Sequence, residues 1–302
     1  MSEAEVVGEV SGSDSAGGVV KFVGISTGAS RIHTAFPRWA RVVGVEAEVV
    51  GVDVPAGASA EAYRSVLDSL REPSVLGAVI TSHKVGLFAA ASDAFESLDP
   101  LARQYREINS IRNDGGRLHG YARDPISVGR VIEEIWPERD GDLLCLGSGG
   151  TAIALGEYLL RRGHRGRLRF VDRDPAAVAR LRAVVDSPLV GAEVGDGPFD
   201  AAVAALAPGA LVVNATGAGK DRPGSPVTDA VEFPARSTVW DLNYRGDLHM
   251  LRVARSQAAA RGLRVYDGLS LFCHGWAAAL TTALDLPEDP GLGQKFMAAL
   301  EE

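Results

Sequence analysis

The stretch Asp142-Leu143-Leu144-Cys145-Leu146-Gly147-Ser148-Gly149-Gly150-Thr151-Ala152-Ile153-Ala154-Leu155 decides the fold of this chain. A short apolar run feeds a glycine cluster, and an apolar pattern with helical spacing follows at once. The order predicts a buried parallel strand, a tight turn and a helix start. Such a turn can hold a dinucleotide pyrophosphate. Its glycines let the backbone come close, and the helix N-terminus offers N–H groups that have no partner inside the helix. The spacing Gly147-x-Gly149-Gly150-x-Ala152 fits G-x-G-x-x-A, in which the last small residue lets helix pack on strand. Gly-rich turns often match this pattern by chance, so the motif alone leaves a plain turn open.

The next segment favours the nucleotide. The helical pattern runs to Arg162-Gly163, and Arg167 to Val171 then form a second strand ending in Asp172. Asp172 lies 22 residues after Gly150, where a Rossmann unit places the carboxylate that binds the adenosine ribose hydroxyls. The candidate cofactor contacts here are Gly147, Ser148, Gly149, Gly150, Thr151, Ala152, Asp172 and Arg173. The carboxylates of Asp172 and Asp174 repel a 2′-phosphate, whereas Asp172 can accept hydrogen bonds from free ribose hydroxyls, so NAD is expected ahead of NADP. Arg173 either lies over the adenine or draws a phosphate.

Composition narrows the class. The chain has 302 residues, enough for one or two domains, with 46% hydrophobic and 23% charged residues. A net charge of -8 argues against a protein built mainly to hold nucleic acid. Two cysteines make no disulfide framework, and Cys145 and Cys273 read as buried thiols of a reducing compartment. There is no basic-then-apolar leader and no apolar run of about 18 residues, so neither secretion nor membrane insertion is expected, and a cytoplasmic location is. Six histidines are scattered without metal-ligand spacing, so no metal site is expected.

Residues 1–18 are acidic, then Ser/Gly-rich, and read as a disordered tail. Strands are expected at 19–25, within 42–54 and at 75–80, with helices led by Ile32, Phe36 and Trp39, over 60–69, and from about 85. This alternation makes a first α/β domain. Residues 107–121 read as a hairpin turning at Asn113-Asp114-Gly115-Gly116. A helix to about 134 then leads into the nucleotide domain. There, helices are expected over 176–185, 199–206 and 247–260, with strands over 210–216, 237–242 and 263–266. Two helices, 275–284 and 291–300, close the chain.

Several separated motifs together resemble the shikimate and quinate dehydrogenase family. They are Gly24 through His33 and Phe36; Gly77-Ala78-Val79-Ile80-Thr81-Ser82-His83-Lys84; Glu107-Ile108-Asn109-Ser110; Gly120-Tyr121-Ala122-Arg123-Asp124; Val213-Asn214-Ala215-Thr216; Asp241-Leu242-Asn243-Tyr244; and Asp267-Gly268-Leu269. The resemblance covers nearly everything after the tail. It implies a two-domain α/β enzyme with a substrate-binding catalytic domain (19–121), an NAD(P)-binding Rossmann domain (122–267) and C-terminal helices (268–302) that return to the substrate domain. It also implies hydride transfer between a nicotinamide cofactor and a cyclic polyol acid or its ketone. Lys84 and Asp124 would flank the reacting oxygen, since an ammonium stabilises charge developing there and can deliver a proton. Asn109 would bind a ring hydroxyl, and Tyr244 would reach the substrate or the nicotinamide region. Asn214, Ala215 and Thr216 would line the cofactor, with Gly217-Ala218-Gly219-Lys220 at its nicotinamide edge. A homodimer is a further expectation.

The departures from the family pattern bear on the substrate. The family grips the substrate carboxylate with two hydroxyls spaced Ser-x-Ser, and Thr27 and Ala29 stand there, with Ser30 next door as a substitute. The expected glutamine falls on Gly275, beside His274, which could take over the lost amide function or simply pack. The proline before His-Lys is Ser82, and Arg245-Gly246 replaces the Asn-Pro after the tyrosine. Where NADP-using members commonly read Asn-Arg-Thr, this chain has Asp172-Arg173-Asp174. Kept catalytic residues with altered grips imply retained chemistry on shikimate, quinate, or a related aminoshikimate or cyclitol. The alternatives are a dehydrogenase of an unrelated small alcohol and a non-catalytic dinucleotide-binding protein.

Overall fold

A computed structural model of the chain describes residues 17–138, 140–219 and 223–301. Residues 1–16 of the expected tail, and Lys220, lie outside the described residues. The chain divides into two compact units: one takes the residues up to Arg123 together with those from Cys273 onward, the other Asp124–Phe272.

In the first unit, β1 (Gly18–Gly24), apolar but for the buried Lys21, lies between β2 (Ala47–Asp53) and β3 (Val75–Ile80), parallel to both. Helix α1 (Ile32–Val43) buries Ile32, Ala35, Phe36 and Trp39, an i, i+3, i+4, i+7 stripe. It ends at Gly44, which takes the left-handed φ of 69° that glycine adopts freely. The expected strand region from Val42 is therefore corrected, since Val42 and Val43 still belong to the helix. Helix α2 (Ala60–Ser69) is capped by the Ser59 side chain, and α3 (Lys84–Ala91) follows β3 closely. Two short elements went unforeseen: β4 (Ser97–Leu98) and α4 (Pro100–Tyr105), the latter capped by Asp99 with proline at its first turn. The hairpin pairs β5 (Ser110–Asp114) with β6 (Arg117–Tyr121) across Gly115 and Gly116, both at positive φ. The sheet order is β2-β1-β3-β5-β6-β4.

The second unit opens with α5 (Asp124–Ile135) and then alternates strand and helix: β7 (Leu143–Leu146), α6 (Gly150–Arg161), β8 (Leu168–Asp172), α7 (Pro175–Val184), β9 (Val190–Val194), α8 (Asp200–Ala204), β10 (Leu211–Asn214), β11 (Thr238–Asp241), α9 (His249–Arg261) and β12 (Arg264–Tyr266). All its strand pairs are parallel, in the order β12-β11-β10-β7-β8-β9. Counted from β7 this is the 3-2-1-4-5-6 order of a doubly wound dinucleotide-binding sheet. Both faces of the central strands are covered: Leu143 and Cys145 join one core with Phe170 and Trp240, while Leu144 and Leu146 join another with Val212 and Val239. Strand β9 was not foreseen. Of its residues only Ala192 is buried, so it carries no apolar run.

Helix α10 (Leu269–Ala283) starts well before the expected 275 and contains Cys273, while α11 (Leu292–Ala298) follows it. Gly275 interrupts the apolar pattern without breaking the helix. From Cys273 onward this segment packs into the first unit. Trp39 stacks on Phe296 at 4.6 Å and donates its indole N–H to the Phe296 carbonyl at 2.8 Å. The Ser110 hydroxyl donates to the Ala279 carbonyl at 2.8 Å. Among the described residues no helix is long and apolar enough to cross a membrane, and no group of three His, Cys, Asp or Glu could hold a metal ion.

Candidate active site

In the first unit the chain leaves β1 toward β2 on one side and later returns to β3 on the other. Ligands of parallel sheets settle outside the carboxyl ends of the strands at such a switch. The segments there are the loop 25–31 after β1 and the turn 81–84 after β3. Lys84, the first residue of α3, accepts a hydrogen bond at its carbonyl from the Ile108 N–H at 3.1 Å. The next residue, Asn109, is buried, and its Oδ1 accepts from the Arg123 N–H at 2.7 Å. Its backbone bridges Ile80 on one side and Tyr121 on the other. Lys84 and Asn109 are thus brought together from separate motifs. His83 anchors the residue before Lys84. One ring nitrogen, Nε2, lies 2.8 Å from the Val54 carbonyl, and the other, Nδ1, 2.9 Å from the Tyr63 hydroxyl. Nε2 therefore carries the proton, and Nδ1 accepts from the tyrosine. Burial pushes the Tyr63 phenol above its ordinary value, which keeps it a donor.

Thr27 is wholly buried. Its N–H and its hydroxyl both donate to Asp53 Oδ1, at 2.7 and 2.6 Å. Its carbonyl lies 3.0 Å from His33 Nε2. Ser30 Oγ accepts from the Ile32 N–H at 3.4 Å, at the start of α1. Asp53, like Ser30 and His33, is partly open to solvent. Sequence reading missed it; an acid ending a strand beside a switch point was the available signal. Arg123 was missed as well. It pairs with Asp99 and lies over the Tyr121 ring at 5.3 Å, and burial draws its pKa below the ordinary value, against the pull of Glu288. His274 has no exposed surface, and its ring packs on α11: a Cβ added at Gly293 would lie 2.1 Å from His274 Nδ1. It faces that helix rather than an open surface. At the neighbouring Gly275 an added Cβ would meet nothing within 4 Å.

In the second unit the switch lies between β7 and β10. Gly147 has φ 110°, and a Cβ there would sit 2.6 Å from the Ala215 carbonyl oxygen, so the turn requires glycine. Gly149 caps α6 at φ -73°, and a Cβ there would meet nothing within 4 Å. Thr151 and the buried Ala152 sit in the first turn of α6. The Ser148 hydroxyl is buried with no hydrogen-bond partner, while its N–H donates to Asp172 Oδ2 at 2.7 Å. Asp172 Oδ1 accepts from the Asp174 N–H at 3.0 Å, and Asp174 caps α7. Arg173 is exposed. Burial, followed by the charge of Asp172, pushes the Cys145 thiol up, so it stays protonated and inert.

After β10, Asn214 Oδ1 accepts from the Thr216 N–H at 3.1 Å and the Thr216 hydroxyl at 2.7 Å, which folds the Asn214-Ala215-Thr216 turn. Asn214 Nδ2 donates to Asp241 Oδ2, and the Asn243 N–H to Asp241 Oδ1, both at 2.9 Å. Burial raises the Asp241 carboxyl to about 6, against the hydrogen bonds from Asn214 and Asn243 and with the nearby Asp267 adding to the rise. Tyr244 is half-buried against Phe272, ring centres 5.0 Å apart. Asp124 is the first residue of α5, directly after Arg123 in the chain. The open ground above Gly149, the unpartnered Ser148 hydroxyl, the α6 N-terminus and the acid ending β8 together fit a dinucleotide.

No protein-family model matches the chain. It is 33% identical over 244 residues to the shikimate dehydrogenase (NADP(+)) of Symbiobacterium thermophilum, covering 78% of each chain. Among solved structures it is similar to the shikimate 5-dehydrogenase of Thermus thermophilus in complex with shikimate, at TM-score 0.71 and 24% identity over 94% of this chain and 100% of that one. It is also similar to the quinate dehydrogenase of Corynebacterium glutamicum in complex with NAD, at TM-score 0.73 and 21% identity over 94% of this chain and 99% of that one. By its sequence likeness and its paired α/β units, the chain belongs, as a divergent member, to the shikimate/quinate dehydrogenase family of nicotinamide-dependent oxidoreductases acting on cyclic polyol acids.

Proposed function

We propose that this chain interconverts a ring hydroxyl and the corresponding ketone of a cyclic polyol, with shikimate (3-dehydroshikimate in reduction) and quinate as the first substrates to test. The observation that carries this reading is the hydrogen bond from Ile108 to Lys84, which sets Lys84 and Asn109 side by side at the β1/β3 switch. The nicotinamide, when bound, supplies or accepts the hydride. Lys84 steadies the negative charge that grows on the substrate oxygen and delivers its proton in reduction. Asp124 hydrogen-bonds the reacting hydroxyl, and Asn109 holds a neighbouring ring hydroxyl. Tyr244 takes a substrate-binding role.

The cofactor is held at the turn 147–150 and the start of α6 by backbone N–H groups, with the Asn214–Thr216 turn on its nicotinamide side. Asp172 accepts from the ribose hydroxyls. Two of its lone pairs are engaged by Ser148 and Asp174, and a carboxylate has others. With Asp174 beside it, a 2′-phosphate is repelled, so NAD is preferred to NADP. A second reading, a related cyclitol or aminoshikimate, is favoured by Ala29 and Gly275, where the side chains lack any polar group.

The test is a spectrophotometric assay with NAD and NADP in turn against shikimate, quinate and a panel of cyclitols. Lys84→Ala should lower kcat by about 100-fold or more while cofactor affinity holds. Turnover that survives in Lys84→Ala removes the catalytic assignment. Cofactor binding without turnover of any polyol favours a binding protein.

A further inference from the structure

We infer that Asp241 is a positioning residue for the dinucleotide: as a carboxylate it holds the turn 214–219 in shape for the nicotinamide end, and on taking up a proton it releases that turn. This rests on the reading that the turns after β7 and β10 hold the cofactor. In the turn, Gly217 and Gly219 take positive φ of 71° and 88°, and residues 215–218 are half-buried. Two asparagines shape it, and both are bonded to Asp241. Asn243 Nδ2 donates to the Ala218 carbonyl at 2.9 Å. Asn214 Oδ1 takes the Thr216 N–H and hydroxyl, and Thr216 Oγ1 accepts in turn from the Ala218 N–H at 3.1 Å. Asn214, Asp241 and Asn243 are all buried. The turn also abuts the glycine turn, since a Cβ at Gly147 would sit 2.6 Å from the Ala215 carbonyl oxygen.

The donors fix which form of Asp241 this arrangement needs. A backbone N–H can only donate, so Thr216 makes Asn214 Oδ1 the acceptor and turns Nδ2 toward Asp241 Oδ2. The Asn243 N–H donates to Asp241 Oδ1, and the Asn243 side chain bonds the same carboxyl. All three bonds favour the ionised form. A proton on Oδ2 weakens the arm through Asn214, and one on Oδ1 the arm through Asn243. Asn214 cannot turn its amide over to receive the proton without setting its own N–H groups against the Thr216 N–H. Burial nevertheless raises the carboxyl to about 6, and the charge of Asp267, just after β12, adds to the rise. Further along the segment after β11, Asp247 pairs with Arg252, His249 lies beside Asp229, and Arg245 is exposed. Cofactor affinity is therefore whole above about pH 6 and falls as pH drops through it.

The probes are NAD and ADP, which share the adenosine and its phosphates, while ADP lacks the nicotinamide. Their dissociation constants are measured by calorimetry at pH 5, 6, 7 and 8 on the full chain and on Asp241→Asn, and hydride transfer with shikimate is followed in parallel. The unmutated chain should bind NAD about tenfold more weakly at pH 5 than at pH 7, a fall set by the fraction of carboxylate left. Asp241→Asn keeps the shape and cannot ionise, so it should bind NAD about tenfold more weakly at pH 7 and show no such fall. At each pH the two proteins should bind ADP alike. An NAD affinity that stays level in the unmutated chain overturns the inference, and so does an equal fall in the variant. ADP affinity lost in step with that for NAD also overturns it, because it marks a general loss of structure. The expected pattern without turnover of any polyol keeps the role of Asp241 and removes the dehydrogenase reading. Turnover with a level NAD profile does the reverse. Failure of the unmutated chain to bind NAD or ADP removes both.

Discussion

Each unit carries a switch point in a sheet with parallel central strands, and the two are built from different material. Between β7 and β10 the working parts are backbone: Gly147 in a conformation other residues resist, Gly149 opening onto empty space, and the N–H groups of α6. Between β1 and β3 they are side chains: Thr27 and His83 are held by the side chains of Asp53 and Tyr63, and Asn109 by the backbone N–H of Arg123. A backbone cradle suits an invariant ligand such as a pyrophosphate. A side-chain cradle can be retuned one residue at a time while the chemistry at Lys84 stays in place.

The sharpest way to break this comparison is Gly147→Ala. The positive φ and the contact with Ala215 should lower stability by about 3 kcal/mol or more and abolish dinucleotide binding, read by urea unfolding and cofactor titration. A stable, cofactor-binding variant means the turn is not built by backbone constraint.

Next in size is the pH response of the side-chain knot of Asn214, Asp241 and Asn243 in the second unit. Asp241 holds its proton in the folded chain up to about pH 6, against an ordinary value of 3.8, so its contribution to stability is whole below 3.8 and declines as pH rises to about 6. Asp241→Asn removes that slope. The stability difference between variant and unmutated chain should move in the variant's favour by on the order of 2 kcal/mol between pH 4 and 7. A flat difference means that Asp241 titrates as it does in water.

Thr27→Val tests the first unit. It strips a hydroxyl from a carboxylate at the edge of the core and should cost about 1–2 kcal/mol, with cofactor affinity unchanged. Smallest in stability is Gly149→Ala, expected within about 0.5 kcal/mol because its φ is ordinary and its surroundings empty. Its dinucleotide affinity should still fall, because the methyl group enters the open ground. If Gly149→Ala and Gly147→Ala behave alike, the division of labour within the turn is wrong.

Legibility in the sequence followed the same divide. The run from Asp142 to Leu155 and the acid at Asp172 were readable because a buried strand, a glycine turn and a helix start are local patterns. Helix α4 escaped although Asp99-Pro100 is a cap-and-first-turn signal, because a helix of six residues leaves almost no periodicity to read. Strand β9 escaped because an edge strand with one buried residue lacks both an apolar run and a clean alternation. Helix α10 begins at Leu269, ahead of the expected 275, where the Asp267 carboxylate accepts from the Leu269 N–H, and the burial of Ala277 to Ala279 holds the helix past Gly275. In the candidate site, Lys84, Asn109 and Asp124 were named from motifs. Asp53 escaped because its partner Thr27 lies in a loop distant in the chain.

By itself the sequence determined the order of the main strands and helices, β4, α4 and β9 apart, together with the glycine turn with its acid, the hairpin at Gly115-Gly116 and membership of the family. These rest on periodicity, turn chemistry and spacing, which act over a few residues or, for the motifs, by their order along the chain. Tertiary structure alone decided that Asp53 meets Thr27, that Lys84 stands beside Asn109, that His274 packs on Gly293, and that Trp39 bonds to Phe296 near the end of the chain. Each of these depends on strand register or helix packing between distant segments, and a shift of one residue in pairing turns a side chain to the other face of the sheet.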